Sequence, residues 1–411
     1  AGVLAGWSAA YALGSRDRRD LAATVPLFIA AAAVPSLLFF LYFMTQMETA
    51  AALRATLGAW VPLFGTRIAT NEFYRRIMGF EAPATSAALM LLTFAGFTAL
   101  AGAAVAVSVA STNVSPVSRA SRLWRIGFLA IAIVLLRHGT FPRALPLIVV
   151  TALVAEIVLF VRVRSDRERA LRLISLIMWS AFGLVLLAKM GLNTRLVQYG
   201  FYLALPAMVV AITLTSSLIP QVLASWKSEA VARGFRQIAL WTLAAAIAPY
   251  LGLAHGWYRT KTIAIGAGAD RFYASSMSGQ WQGAAVQDAL RALKESAHPG
   301  AILAVLPEGV MINYLLRLDS PLRIVNPMPP ELMAFGEDDV LRSLMAKPPD
   351  FVLLIEKDTS EYGYPPFGSD PRYGLTTLAW IHQRYETVRV IRKDPGRESE
   401  AVMRLMSRRK E

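Results

Sequence analysis

The sequence predicts a polytopic α-helical membrane domain of about seven full spans plus an N-terminal partial helix, followed by a C-terminal α/β domain outside the membrane. Three observations carry this. Of 411 residues, 55% are hydrophobic and only 17% charged. The apolar residues gather in runs near the length of about 20 that crosses a hydrocarbon layer, where only a helix satisfies its own backbone amides. These runs fill most of residues 1–256, whereas 257–411 alternate short β-branched runs with amphipathic stretches.

Residues 1–13 are an apolar stub ending at Arg16, Arg18 and Arg19. The stub is too short for a span and lacks the charged start of a signal peptide, so it reads as the end of a helix begun upstream. Full spans fit 21–45, 87–109, 122–137, 145–161, 173–190, 199–219 and 237–254. The third-listed span has a weak apolar core, confined to 126–136.

The formal net charge of +14 does not point to nucleic acid, because the cations cluster in short connections between apolar runs. Arg119, Arg122 and Arg125 form one cluster; Arg162, Arg164, Arg167, Arg169 and Arg172 a second; Lys227, Arg233 and Arg236 a third. With Arg16 to Arg19 inside, every later cluster also falls inside, as loop charge bias requires. Residues 46–86, 137–144, 191–198 and everything after about His255 then lie outside, periplasmic in a bacterial inner membrane. Cysteine is absent, which excludes disulfides, thiolate metal sites and a Cys nucleophile.

The first outer loop contains Asn71-Glu72-Phe73-Tyr74-Arg75-Arg76-Ile77-Met78-Gly79-Phe80. Its mixture of aromatics and Arg suits a helix lying in the headgroup layer. It equally suits a site where Arg75 and Arg76 bind a lipid phosphate and Glu72 faces a sugar. Arg137, Lys189 and Arg195 in the two shorter outer loops add cations able to clamp phosphate, or simply to anchor on headgroups. Tyr199 follows in the last of these loops. Glu156, within the span at 145–161, lies six residues from Arg162 and is expected to reach toward the inner arginines.

In the tail, strands are expected at 262–265, 301–306, 322–325, 351–355 and 387–391, with helices at 284–297, 310–318, 338–345 and 375–385. This alternation predicts a largely parallel sheet. Gly266-Ala267-Gly268-Ala269-Asp270-Arg271 imitates a dinucleotide fingerprint but places Arg at the third small position, so no nucleotide cofactor is expected. Three polar loops follow strands: Leu306-Pro307-Glu308-Gly309 leading to Asn313, Asn326 to Glu331, and Glu356 to Tyr364 with Asp358 and Glu361. Loops beyond strand ends gather ligands in open α/β sheets, and carboxylates with tyrosines suit sugar hydroxyls. The same residues also suit helix caps and loop shaping.

Lys189-Met190-Gly191-Leu192-Asn193, Gln198-Tyr199-Gly200-Phe201-Tyr202-Leu203-Ala204-Leu205-Pro206, Leu306-Pro307-Glu308-Gly309 and the stretch from Lys357 to Tyr364 resemble segments of the C-type membrane glycosyltransferases. That superfamily takes sugar from a polyprenyl phosphate and includes protein O-mannosyltransferases and aminoarabinose transferases. The resemblance implies donor phosphate held by some of Arg75, Arg76, Arg137, Lys189 and Arg195, and an acceptor or sugar met by Glu72, Tyr199, Glu308, Asn313, Glu331, Asp358 and Glu361. The family's acidic motif maps onto no position here: the first outer loop offers Glu48, Glu72 and Glu81 without an acidic pair, and Asp166 is the only Asp between residues 21 and 255. The resemblance therefore implies an upstream segment that supplies the catalytic base and any divalent metal. A transporter or flippase and a non-catalytic scaffold for envelope assembly are the rival classes.

Overall fold

A computed structural model describes residues 33–57, 70–113, 119–136, 141–163, 165–196, 200–276, 283–393 and 400–409. The chain divides into two units, one of Ala1–Ala59 with Arg75–Gly252, the other of Trp60–Tyr74 with Leu253–Glu411.

The first unit is helical. It contains α1 (Ala33–Met44), α2 (Thr49–Leu57), the end of α3 (Glu72–Ile77), α4 (Pro83–Asn113), α5 (Arg119–Leu136), α6 (Leu145–Val163) and α7 (Arg167–Ala188). α8 (Gly200–Thr213) passes through a π-helical turn, Leu214–Leu218, into α9 (Ile219–Trp226), and α10 (Glu229–Arg259) follows. Among the described residues five helices are long and apolar enough to cross a membrane: Pro83–Thr112, Phe141–Val163, Glu168–Ala188, Gly200–Trp226 and Glu229–Arg259.

Five is fewer than the seven expected, for two physical reasons. Residues 21–32 of the segment 21–45 lie outside the described residues, and the helix in its remainder, α1, rises only about 18 Å at 1.5 Å per residue, against a hydrocarbon core of about 30 Å. α5 carries Arg119, Arg122 and Arg125 in its first half, so its uncharged run is confined to 126–136.

Small residues let α6, α7 and α8 approach closely. Ala144, Leu145, Ile148, Ala152, Leu187, Ala204, Ala207 and Ala211 form one buried cluster. A Cβ on Gly183 would stand 3.2 Å from the Ala207 backbone nitrogen, which marks a close helix crossing. Glu156 does not extend toward the inner arginines as expected. Only 1% of it is exposed, it faces Ser180 of α7, and its Oε2 has no hydrogen-bond partner. Its position on the packed face of α6 turns it into the bundle, so snorkelling is sterically closed to it.

The second unit is α/β. β1 (Lys261–Ile265) pairs antiparallel with β2 (Phe272–Ser275) as a separate ribbon. α11 (Gly283–Ser296), β3 (Leu303–Leu306), α12 (Met311–Leu316), α13 (Pro329–Phe335), α14 (Glu337–Ala346), β4 (Phe351–Ile355), α15 (Leu375–Arg384), β5 (Tyr385–Arg392) and β6 (Ala401–Arg408) follow. The four-stranded sheet has the order β3-β4-β6-β5. Only β3 and β4 are parallel, Leu303 standing opposite Phe351, while both pairings of β6 are antiparallel.

The expected largely parallel sheet is therefore corrected to a mixed one. The difference comes from β6, which the sequence pattern did not announce, and from 322–325, which forms no strand. Pro321 and Pro327 bracket that segment, and it delivers Leu322 to the core without making a ladder. Two clusters cover the two faces of the sheet with period two. Leu303, Val305, Leu353 and Leu405 pack with α11 and α12, while Ala304, Leu306, Val352 and Met406 pack with α14, α15 and the buried Tyr373.

Candidate ligand site in the α/β unit

The parallel pair β3 and β4 ends at one edge, so the loops that leave them emerge together. β3 continues through the cis Leu306-Pro307 bond to Glu308. β4 continues to Lys357, whose side chain is only 9% exposed and whose Nζ lies 2.8 Å from Glu308 Oε2. A buried ammonium needs such a counter-charge, and the pair fixes both loops.

α13 brings the third loop. Pro329 and Pro330 start this helix, where a missing N–H costs nothing, and Glu331 stands in its first turn. Burial pushes the Glu331 carboxyl above its ordinary value, and the neighbouring charge of Glu308 adds to the shift. Glu331 Oε2 and Asn326 Oδ1 are buried with no hydrogen-bond donor among the described residues.

Two tyrosines close the group. Burial raises the Tyr373 hydroxyl, and Glu331, Glu308 and Tyr362 raise it further; Tyr373 is fully buried against the rings of Tyr364 and Phe367. Burial likewise raises Tyr362, with smaller effects from Glu361, Tyr74, Glu331 and Glu308. The segment before α3 belongs to this unit: Asn71 Nδ2 donates to the Tyr362 carbonyl at 3.3 Å, and the Phe73 ring lies 4.5 Å from that of Tyr362.

Beside these loops lies a cavity of about 340 Å³. Phe272, Ala274, Val286 and Met311 give it apolar walls, and Glu308 and Asn326 supply its polar edge.

The structure thus brings Glu308, in the loop after β3, near Glu331, in the first turn of α13; the segment before Glu331 is not the strand expected from the sequence. The other substrate candidates are placed differently. Asn313 is buried and donates its amide to the Leu303 carbonyl at 2.8 Å, tying α12 to β3. Asp358 accepts from the Ser360 amide at 2.9 Å; the Ser360 contacts hold its carboxyl below the ordinary range, and it is exposed. Glu361 is exposed, and Glu72 begins α3. Tyr199 and Arg137 lie outside the described residues.

Of the phosphate candidates, Arg75 and Arg76 stand in the last turn of α3, and exposed Lys189 caps α7. Their loops are joined, since Leu192 N donates to the Met78 carbonyl at 2.9 Å and Asn193 Nδ2 to the Ile77 carbonyl at 3.1 Å. Gly191 permits this approach: its φ is +58°, and a Cβ there would lie 2.6 Å from the Met78 carbonyl oxygen. Arg195 follows, half-buried, with its guanidinium pKa lowered by that burial.

Sequence reasoning missed Lys357, Tyr373 and the role of Asn71 and Phe73. A lysine two residues past a buried strand was the available signal for the first; the others give none. Among the described residues no three His, Asp or Glu side chains gather as a metal site. Comparison with protein-family models, curated proteins and solved structures yields no match to this chain.

Proposed function

We propose that the protein is a membrane glycosyltransferase that takes a sugar from a polyprenyl-phosphate donor and passes it to an acceptor at the outer membrane face. The observation that carries this reading is a cavity of about 390 Å³ within the helical unit. Leu92, Phe97, Leu100, Phe128, Phe235 and Leu243 are among its walls. Its hydroxyls are already spent: Thr93 donates to Leu89, Thr215 to Ala211 and Thr242 to Ile238, each to a carbonyl of its own helix turn. A chamber so lined offers nothing to a sugar or an ion and suits a flexible apolar chain, which gains on the order of 25 cal/mol per Å² buried.

The phosphate of such a donor would meet Arg75, Arg76, Lys189 and Arg195, whose loops are hydrogen-bonded to one another. As the anomeric carbon–oxygen bond breaks, its electron pair passes to the phosphate, and cations placed there stabilise the growing charge. Half-buried Arg195 acts more strongly than an exposed cation because less water screens it.

The acceptor hydroxyl's proton would go to a carboxylate of the upstream segment that the resemblance implies, so the test is sugar release from a polyprenyl-phosphate donor by the full-length protein, purified in nanodiscs. Arg75→Ala, Arg76→Ala and Arg195→Ala are each expected to lower the rate, with a loss of about 100- to 1,000-fold for the most important, the scale of removing one charge-stabilising group. No release by the wild type, or equal release by all three variants, sinks the proposal. One observation favours a proton-coupled transporter instead: the buried carboxylate of Glu156 with its unpartnered oxygen.

A further inference from the structure

The cavity of the α/β unit has a chemistry of its own. Its polar edge is formed by the Glu308 carboxylate and the Asn326 side-chain amide, whose oxygen is buried and accepts from no donor among the described residues. A buried acceptor left without a donor is costly, so the position points to a partner that brings N–H or O–H groups. Lys357 holds Glu308 Oε2 at 2.8 Å and orients the carboxylate, yet a third of the Glu308 side chain stays exposed. The rest of the lining is apolar and includes Phe272, which is 38% exposed. A volume of about 340 Å³ falls within the roughly 300–1,000 Å³ of small-molecule sites.

We infer that this cavity is a saccharide-binding site, in which a pyranose ring lays its C–H face against Phe272 and donates hydroxyls to the Glu308 carboxylate and the Asn326 side-chain oxygen. Sugars combine an apolar ring face with a fan of donors, the two demands this cavity makes together. A phosphate fits poorly, because its negative charge meets the Glu308 carboxylate and the ammonium of Lys357 is already engaged by Glu308. The inference deepens the transfer proposal by giving a sugar-bearing reactant a place. It needs no turnover, so either can fail without the other.

The experiment is saturation-transfer NMR with the intact protein in nanodiscs, titrated with methyl α-mannopyranoside, methyl α-glucopyranoside, N-acetylglucosamine and arabinopyranose, with inorganic phosphate as the contrasting probe. At least one saccharide saturates while phosphate gives no competition. Phe272→Ala and Asn326→Leu each weaken that saccharide about tenfold or more, the loss expected from one stacking or hydrogen-bond partner. Asn326→Leu keeps or raises the melting temperature, because the oxygen it removes has no protein donor to lose. Absence of binding by all four saccharides overturns the inference, as does binding that survives both substitutions or is displaced by phosphate. Saccharide binding without release from a polyprenyl-phosphate donor leaves this inference standing and removes the transfer proposal alone.

Discussion

Glu331 occupies a poor position for a charged carboxylate: it is partly buried, its Oε2 has no donor, and Glu308 is near enough to oppose its ionisation. Its pKa is therefore higher in the folded protein than in the unfolded chain. A raised acid contributes stability below the unfolded value and loses that contribution as pH rises through the folded value. At neutral pH the ionised group is a burden. Glu331→Gln, which imitates the protonated acid, is expected to raise the melting temperature of the α/β unit at pH 7. The gain should be on the order of 1 kcal/mol, the lower end of what an unpaired buried polar group costs. At pH values below the unfolded carboxylate range the variant and wild type should melt together. A gain that persists undiminished there would show the shift to be misassigned. The strain was not legible in the sequence, where Glu308 and Glu331 stand only among the substrate-binding candidates, as acids in polar loops. The pairing of Lys357 with Glu308 was not legible, because a salt bridge between two loops depends on strand pairing, which spacing along the chain does not encode.

Among the elements, β6 decides the architecture. It is the last described element of the chain, yet it lies between β4 and β5 and hydrogen-bonds to both, Leu353 facing Leu405 on one side and Val390 facing Arg404 on the other. Ala401, Met403, Leu405 and Met406 are good helix formers, so local preference argued against a strand. The sheet overrides that preference, because a chain buried between two strands satisfies its backbone only as a ladder. The helices were easier to read: α11 and α14 fall within a residue or two of expectation, since an amphipathic face is written locally. Deleting residues 394–411 removes both ladders and opens the two clusters that cover the sheet. The expected outcome is complete loss of a protease-resistant α/β unit, with the helical unit still inserting in membranes. A truncated protein that retains the resistant fragment would show that β4 and β5 can close on each other and that β6 is dispensable.

For the whole molecule, the charge pattern and the count of apolar helices pull against each other, and α5 is where they meet. The apolar spans were legible because hydrophobic length is a local property, and all five helices able to cross coincide with spans expected from sequence. α5 and the segment of α1 fall short of that set; the 18 residues of α5 rise about 27 Å, but three arginines occupy its first half. If α5 stops short of crossing, α6 must run in the opposite sense. The cluster Arg162, Arg164, Arg167, Arg169 and Arg172 would then lie on the outer side, against the cation bias of short loops. Arg119, Arg122 and Arg125 can extend to the inner headgroups while 126–136 occupies the hydrocarbon, which makes the crossing feasible in a locally thinned bilayer. The expectation is that α5 crosses. Fluorescent-protein fusions made after Ser165 should glow, as cytoplasmic fusions do, and alkaline phosphatase joined after Glu411 should be active, as only an exported enzyme is. If α5 does not cross, both reporters invert together, since every later helix changes direction with it. That joint inversion would also move the loops of Lys189 and Arg195 to the side opposite the one the donor-phosphate proposal requires, whereas a single inverted reporter would locate the error between α7 and the C-terminal unit.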